Sequence, residues 1–379
     1  MQRNVYRLRR SPFLYVFIIV MVTFVLRTGA VHALSRSAGT WNIVPSPNAG
    51  DGPNNLYGIT SIAPNDIWAV GSYQKHSSGL LYTLIEHWDG TKWSIVHSPN
   101  QQHGGNLLRA VAAVSTNDVW AVGNNYRRHG GRLLIEHWDG SQWSIVKTPD
   151  VGGNPVLDAI TVISTDDVWA VGSYGRSQTL ILHWDGSQWR VVKSPNKGLF
   201  DFLNGIAAVS ANDIWATGEY EQGPNSNDRT LFEHWDGSQW SIVQGANHKG
   251  YNNDLNGIAA VSSTQVWAVG DYFVNSSPSQ TLVEQWNGQQ WQIVKSPNTG
   301  SNDFLNAVTA VSSTDIWAVG SYDAYTLIEQ WDGQQWQIVS SPNAGSSNVL
   351  RAITAISSTD IWAAGTYDGH TLIEQWSGA

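Results

Sequence analysis

A tryptophan-centred motif recurs seven times along the chain, and no other feature constrains the fold as strongly. Its first copy reads Asp66-Ile67-Trp68-Ala69-Val70-Gly71, and the other copies centre on Trp120, Trp169, Trp215, Trp267, Trp317 and Trp362. Successive copies lie 45 to 52 residues apart. This period matches a unit of four β-strands and is too long for helical-hairpin or leucine-rich repeats.

Each unit contains four short runs of β-forming residues separated by turn residues. In the first unit the runs are Leu56–Ile62, Asp66–Tyr73, Thr83–Trp88 and Trp93–Val96, which we name strands a, b, c and d, from the centre outward. Asp89-Gly90 lies between c and d, and Asp-Gly favours a tight hairpin turn. No helical pattern interrupts the units. The sequence therefore predicts an all-β, seven-bladed β-propeller with four-stranded antiparallel blades.

The tryptophan count predicts how the ring closes. Each unit has one Trp in strand b, one at the end of c and one at the start of d, so seven units account for all 21. The count works only if Trp41 opens strand d of the seventh unit, whose own sequence stops just after Trp376. We therefore expect the N-terminal strand, Trp41-Asn42-Ile43-Val44, to complete the last blade.

The first 33 residues have the layout of a secretory signal. Four arginines, Arg3, Arg7, Arg9 and Arg10, precede the apolar run Phe13–Leu26, and Val31-His32-Ala33 forms a small-residue cleavage site. The alternative is an uncleaved signal anchor, but the run of roughly 14 residues is short for a bilayer span of about 20. We expect a signal peptide at 1–33 and the propeller at 34–379, in a secreted or cell-surface protein.

Charge and composition exclude several functions. The whole chain has a formal net charge of −9, and loss of the five arginines in residues 1–33 makes it −14. Nucleic acid and anionic membrane surfaces need a basic patch, so neither is an expected partner. The chain has no cysteine, which excludes disulfides and thiolate metal sites. No catalytic, cofactor or metal-binding motif is present, so we predict no catalytic residue, cofactor or metal.

Three polar positions repeat with the scaffold. His87, His137, His183 and His234 share one position, which Gln285, Gln330 and Gln375 occupy elsewhere. Because Gln is a poor metal ligand, we interpret the position as a hydrogen-bonding partner beside a Trp. A glutamate precedes it in six units, with Leu182 in the third. We interpret these glutamates, and Asp66 with its copies, as hydrogen-bonding groups between blades.

A single site should break the repeat, and the asymmetry lies at one end of the ring. The d–a and b–c loops vary in length, as in Gln74–Tyr82, Glu221–Arg229 and Arg127–Arg132. Variable loops on a rigid frame often carry function. The second position of strand a lies near that end and the axis; around the ring it reads Tyr57, Arg109, Asp158, Asn204, Asn256, Asn306 and Arg351. These seven are the candidate ligand-binding residues; the alternative is a solvated channel mouth.

The repeats resemble those of bacterial exported β-propellers of the Asp-box and kelch type, over residues 41–379. The element Asp139-Gly140-Ser141-Gln142-Trp143 is similar to the Asp-box hairpin but is one residue shorter and lacks its preceding Ser. The His-Trp-Asp-Gly run is similar to the WD repeat without that family's Gly-His element, and the kelch double glycine is missing. The resemblance implies a propeller and transfers no active site.

Three functions remain open. The preferred hypothesis is a tryptophan-rich, non-enzymatic binding module that takes a glycan, in the manner of a lectin, or a protein at the axis. The alternative is a glycan-active hydrolase or lyase with an axial site, which the resemblance supports because Asp-box sialidases use an arginine cluster and a tyrosine. The third is a set of weak lectin sites between blades, acting by avidity. The sequence indicates no oligomeric state.

Overall fold

The computed structural model describes residues 39–378, except 77–78, 128–129, 225, 275–276 and 301. Within these residues the chain forms seven sheets of four antiparallel strands. The first strand of each sheet adjoins the first strands of both neighbouring sheets, so the sheets close into a ring. The predicted seven-bladed β-propeller is confirmed. The predicted signal segment, residues 1–33, lies outside the described residues.

The strands are numbered in chain order. Blades 1 to 3 contain β2 (Asn54–Ala63), β3 (Asp66–Gln74), β4 (Leu81–Trp88), β5 (Trp93–Ile95); β6 (Gly105–Ser115), β7 (Asp118–Tyr126), β8 (Arg132–Trp138), β9 (Trp143–Ile145); β10 (Val156–Ser164), β11 (Asp167–Tyr174), β12 (Gln178–Trp184), β13 (Trp189–Val192). Blades 4 to 6 contain β14 (Phe200–Ser210), β15 (Asp213–Glu221), β16 (Arg229–Trp235), β17 (Trp240–Gln244); β18 (Asn252–Ser262), β19 (Gln265–Phe273), β20 (Gln280–Trp286), β21 (Trp291–Ile293); β22 (Asp303–Ser312), β23 (Asp315–Tyr322), β24 (Tyr325–Trp331), β25 (Trp336–Ile338). Blade 7 contains β26 (Asn348–Ser357), β27 (Asp360–Tyr367), β28 (His370–Ser377) and β1 (Thr40–Ile43). Over this part of the chain no helix is long and apolar enough to cross a membrane.

The N-terminal strand closes the ring as predicted. Strand β1 pairs antiparallel with β28, with Trp41 opposite Trp376. Beyond β1, the Val44 N–H donates to the Ile373 carbonyl at 2.8 Å. The Thr371 N–H then donates to Asn48 Oδ1 at 3.0 Å. The last blade is therefore built from both ends of the described chain.

The tryptophans form the core between blades. Trp68 of strand b packs against Trp138 and Trp143 of the next blade, with ring centroids 5.1 and 5.4 Å away. At the seam Trp317 makes the same contacts with Trp376 and Trp41, at 5.0 and 5.8 Å. Tilted and edge-on ring pairs are favourable beyond their buried area. Each interface between blades thus contains three tryptophans, of which those from strands b and d are buried and that from strand c is half-buried.

The aspartates that open strand b act within a blade, which corrects the prediction that they join blades. Asp66 Oδ1 accepts from Trp68 Nε1 at 3.1 Å and lies 2.9 Å from His87 Nε2. Residues two apart on a strand share a face, and Trp68 pairs with His87 on strand c of the same blade, so the three side chains meet there. The His87 ring also packs on Trp68, at 4.2 Å, as the hydrogen-bonding interpretation of this position predicts.

Five of the six repeated glutamates are hydrogen-bonded to the linker that precedes their blade, as predicted, whereas both carboxyl oxygens of Glu86 are buried without a partner. Ser98 Oγ, in the linker after blade 1, lies within hydrogen-bond distance of Glu136 Oε2 of blade 2 and of Thr83 Oγ1 of its own blade, each at 2.7 Å. Equivalent Thr–Ser–Glu relays join blades 3 to 4, 5 to 6 and 6 to 7. Burial raises the pKa of six glutamates to about 8: Glu86, Glu136, Glu233, Glu284, Glu329 and Glu374.

The interface between blades 2 and 3 lacks this relay altogether. Leu133 replaces the threonine and Leu182 replaces the glutamate, while Thr148 and Asp150 replace the linker Ser and Asn. Both leucines are buried. Leu133 and Leu182 lie on neighbouring blades and belong to one hydrophobic cluster. Apolar packing therefore takes the place of the buried polar relay at this interface.

Candidate functional site

The two ends of the propeller carry different loops. Because strands alternate in direction, the a–b and c–d turns open at one end and the d–a and b–c loops at the other. The c–d turns are uniform; Asp89 Oδ1, for example, accepts from the N–H groups of Thr91 and Lys92. We call the opposite end the variable face. Each of the three long loops predicted there lies partly outside the described residues.

All seven predicted binding residues occupy a β-bulge in strand a. Tyr57 falls between the pairs Leu56–Gly71 and Gly58–Val70 and has no partner of its own, and the same register shift occurs in every blade. A bulge leaves one residue out of the ladder and redirects its side chain. The side chains line an axial pocket of about 220 Å³; they are Tyr57, Arg109, Asp158, Asn204, Asn256, Asn306 and Arg351.

Small residues directly below the bulges let the blades approach the axis. A Cβ on Gly58 would lie 2.9 Å from the Cα of Ala110 in the next blade, and one on Gly257 would lie equally close to Ala307. Side chains larger than those of Gly or Ala would therefore push the first strands apart. This close approach holds the seven bulge residues around one narrow opening.

The three asparagines are structural clasps. Asn204 Nδ2 donates to the Leu255 carbonyl of blade 5 at 2.9 Å. Asn256 and Asn306 repeat this contact, each donating to the leucine carbonyl of the following blade, at 3.0 and 2.7 Å. The amide nitrogens of these residues are thus occupied by the scaffold. These contacts do not use the amide oxygens, which can accept hydrogen bonds.

Arg109 and Asp158 form an ion pair across the axis side of blades 2 and 3. Arg109 Nε lies 3.4 Å from Asp158 Oδ1, and Arg109 Nη2 donates to the Tyr126 hydroxyl at 2.9 Å. Burial raises the pKa of Asp158 to about 6, although the Arg109 charge opposes the rise. At neutral pH this pair is largely self-neutralised.

Arg351 stands apart from the other charged groups of the pocket. Its guanidinium lies over the Tyr57 ring, 5.1 Å from the centroid. Among the described residues it forms no ion pair, and its Nε is buried without a hydrogen-bond partner. A guanidinium stacked on an aromatic ring keeps its in-plane donors free for a planar acceptor. Arg351 is therefore the cation of the pocket best placed to receive a ligand.

Sequence reasoning missed a group of acidic residues beside the pocket. Asn204 Nδ2 also donates to Glu219 Oε2 at 2.6 Å, and burial raises the pKa of Glu219 well above its ordinary range. Burial likewise raises the pKa of Asp254 to about 7 and that of Asp271 to about 6. A signal existed, since Glu219 and Asp271 follow the strand-b glycine where other blades have neutral residues. Over the described ranges no three acidic or histidine side chains are arranged to hold a metal ion.

Comparisons with known proteins identify the fold but no family. No family model and no curated protein matches the sequence. Among solved structures, YCF48 bound to D1 peptide has a TM-score of 0.60 at 14% identity, covering 90% of this chain and 98% of that one. U3-55K has a TM-score of 0.58 at 11% identity, covering 90% and 99%. A polysaccharide lyase of family PL25, an ulvan lyase with bound saccharide, has a TM-score of 0.56 at 12% identity, covering 86% and 94%. At these identities the likeness establishes the propeller architecture alone.

Proposed function

We propose that this protein is a binding module whose axial pocket, on the variable face, takes a ligand that carries a carboxylate. The break in sevenfold symmetry is the observation that carries this proposal. Three bulge positions hold asparagines that make one identical structural contact, from blade to blade. The other four form two pairs instead, with Arg351 over the Tyr57 ring and Arg109 beside Asp158. A scaffold needs no such departure, whereas a single site does.

The chemistry of the four residues favours an anion with hydroxyl or amide groups nearby. The guanidinium of Arg351 can donate two parallel hydrogen bonds to a carboxylate, and such charge-assisted bonds are stronger than hydrogen bonds between neutral groups. Tyr57 supplies a ring and a hydroxyl next to it. The remaining amide oxygens of the asparagines accept from hydroxyl or amide groups. A pocket of about 220 Å³ holds one unit of a chain, such as a terminal sugar or the end of a peptide.

Both ligand classes expected from the sequence, glycan and protein, satisfy this chemistry. A uronic acid and a peptide C-terminus each present a carboxylate beside hydrogen-bonding groups. The named ligands of the similar structures are a peptide for YCF48 and a saccharide for the ulvan lyase. Export, as expected from residues 1–33, would expose the variable face to cell-surface glycans and exported proteins.

Enzymatic action on a glycan is the second candidate. It draws support from the adjacency of Arg351 and Tyr57, because elimination from a uronate needs a cation on the carboxylate and a group that accepts a proton. The fold likeness to an ulvan lyase is compatible with it. Turnover would appear as an unsaturated, ultraviolet-absorbing product in the binding assay.

The test is a binding screen with one matched control. Purified protein is titrated with uronate-containing oligosaccharides and with peptides whose C-terminus is free or amidated. Arg351→Gln should weaken binding by tenfold or more, since a charged hydrogen bond is worth about 1.5–3 kcal/mol. Arg190→Gln removes an arginine of outer strand d that pairs with Asp185 of the preceding turn, and should leave binding unchanged. Equal affinity of the two variants, or no carboxylate ligand at all, would overturn the proposal.

A further inference from the structure

We infer a second binding site, for an acidic sugar unit, between blades 4 and 5 on the variable face. The site is a pocket of about 420 Å³ whose lining includes Asn227, Arg229, Gln244, Lys249 and Tyr251. We call it the lateral pocket. It shares no lining residue with the axial pocket, so the inference does not depend on the function proposed for the axis.

The lateral pocket exists because the linker after blade 4 departs from the repeat. Five linkers contain Ser-Pro-Asn and one contains Thr-Pro-Asp, but this one reads Gly245-Ala246-Asn247. Strand β17 also runs to Gln244 and is five residues long, where the other outer strands have three or four. A Cβ at position 245 would lie 2.3 Å from Thr230 Oγ1, so the altered path requires glycine.

The loop that follows is held in place by hydrogen bonds. Asn253 Oδ1 accepts from the His248 N–H at 2.7 Å, and Asn253 Nδ2 donates to the carbonyls of His248 and Tyr251 at 3.2 and 2.7 Å. Asn247 Oδ1 accepts from the Thr230 N–H at 2.9 Å, which ties the loop to strand c. A preformed loop loses little conformational entropy on binding a ligand.

Three cationic side chains converge on the lateral pocket of an otherwise acidic protein. Arg229 and Lys249 line it, and neither forms an ion pair with any residue in the described ranges. Lys197 reaches its edge, where Nζ donates to Gln244 Oε1 at 3.2 Å and lies 4.7 Å from the Tyr220 ring centroid. Since the chain has a net charge of −9, this local positive charge favours an anion.

The aromatic residues of the loop add an apolar surface next to these charges. His248 stacks on Tyr272 with ring centroids 3.9 Å apart, and Tyr251 meets Tyr272 edge-on at 5.4 Å. Tyr251 is nevertheless 39% exposed and lines the pocket. Burial lowers the pKa of His248, so its ring is neutral at pH 7 and acts as part of the apolar surface.

These features together fit an acidic sugar better than a simple anion or a neutral sugar. An aromatic ring packs against the C–H face of a pyranose, and side-chain amides such as that of Asn227 bind its hydroxyls. The cations select a unit that carries a carboxylate or a sulfate. A small inorganic anion would leave Tyr251 unused, and a neutral sugar would leave Arg229 and Lys249 unused.

The experiment measures binding of three oligosaccharides of equal length to the full chain by calorimetry. The probes are an oligogalacturonate, a sulfated heparin-type oligosaccharide and a neutral cello-oligosaccharide. Lys249→Gln and Tyr251→Ala should each weaken binding of an acidic probe by about tenfold or more. Lys295→Gln is the matched control, because Lys295 is an exposed lysine that precedes the linker of the next blade. Thermal unfolding confirms that each variant folds.

The outcomes separate this site from the axial one. Each variant is made in the native chain and in the Arg351→Gln chain, so that binding at the axis can be subtracted. Loss of acidic-probe binding in Lys249→Gln and Tyr251→Ala of the Arg351→Gln chain, with retention in its Lys295→Gln variant, supports the lateral pocket. Loss in Arg351→Gln alone assigns the saccharide to the axis and overturns the inference. Equal binding of the neutral probe, or no binding of either acidic probe, also overturns it.

Discussion

Replacement of Trp41 by alanine tests how the ring is closed. Trp41 is 5% exposed and packs against Trp317 and Trp376, with centroids 5.8 and 6.0 Å away. Truncation of a buried tryptophan costs about 3–5 kcal/mol, a large part of the ~5–15 kcal/mol that stabilises a typical domain. Trp143 is the matched control, since it is equally buried and packs against Trp68 and Trp138 at 5.4 and 6.0 Å.

The two variants should lose a similar free energy of unfolding but should open at different places in the structure. Strand β9, which begins at Trp143, continues from β8 through a tight hairpin, whereas β1 is joined to β28 only by non-covalent contacts. Trp41→Ala should therefore detach β1 and expose the outer edge of β28. Hydrogen exchange read by mass spectrometry should show faster exchange in β28 for Trp41→Ala than in β8 for Trp143→Ala. Equal protection of β28 and β8 would refute the argument that β1 acts as the closing latch.

Four further measurements test the scaffold. The unfolding midpoint should fall as pH rises from 5 to 8, because the folded glutamates keep their protons up to a pKa of about 8 while unfolded ones release them near 4.5. Glu136→Gln should make the free energy of unfolding fall less steeply with pH, by up to ~1.4 kcal/mol per pH unit. An unchanged pH dependence would contradict the raised pKa of Glu136. Gln265→Asp should stabilise the protein by about 1 kcal/mol in urea denaturation, since it gives the orphaned Trp267 indole N–H the acceptor that Asp66 gives Trp68. Leu182→Glu should lower the unfolding midpoint, and Leu133→Thr added to it should restore part of the loss. Deletion of residues 34–46 should lower the midpoint sharply; no loss would contradict the closure.

The architecture was predictable because the residues of its main stabilising contact, the tryptophan packing between blades, recur in every repeat. Every interface contains tryptophans from the same three positions of the repeat, so the number of tryptophans in the sequence equals the number in the ring. The odd position of Trp41 then required the N-terminal strand to join the last blade. The repeat led to one wrong prediction, that Asp66 and its copies join blades. A repeated aspartate is compatible with hydrogen bonds inside a blade or between blades, and the sequence does not distinguish the two.

The candidate site was predictable in its position but not in its contacts. The bulge residues share one place in every repeat, which brought Tyr57 and its six counterparts together correctly. Which of them bond to the scaffold depends on the stagger between neighbouring blades, which no single repeat encodes. For that reason the clasp that Asn204 makes with the Leu255 carbonyl could not be read from the sequence. Glu219 is different, because it lies on the neighbouring strand of the same blade and stands where other blades have neutral residues. The lateral pocket had a readable signal in the lost Ser-Pro-Asn linker, but its cations come from one strand and two separate loops.

The missing relay between blades 2 and 3 has a consequence for recombining the repeats. Leu133 belongs to one blade and Leu182 to the next, so neither blade carries the whole adaptation. A transplanted blade 3 would present Leu182 to a foreign Thr–Ser pair, and its new neighbour would lose its acceptor. Modular redesign of this ring should therefore cut through the middle of blades, so that each transferred cassette includes an intact interface.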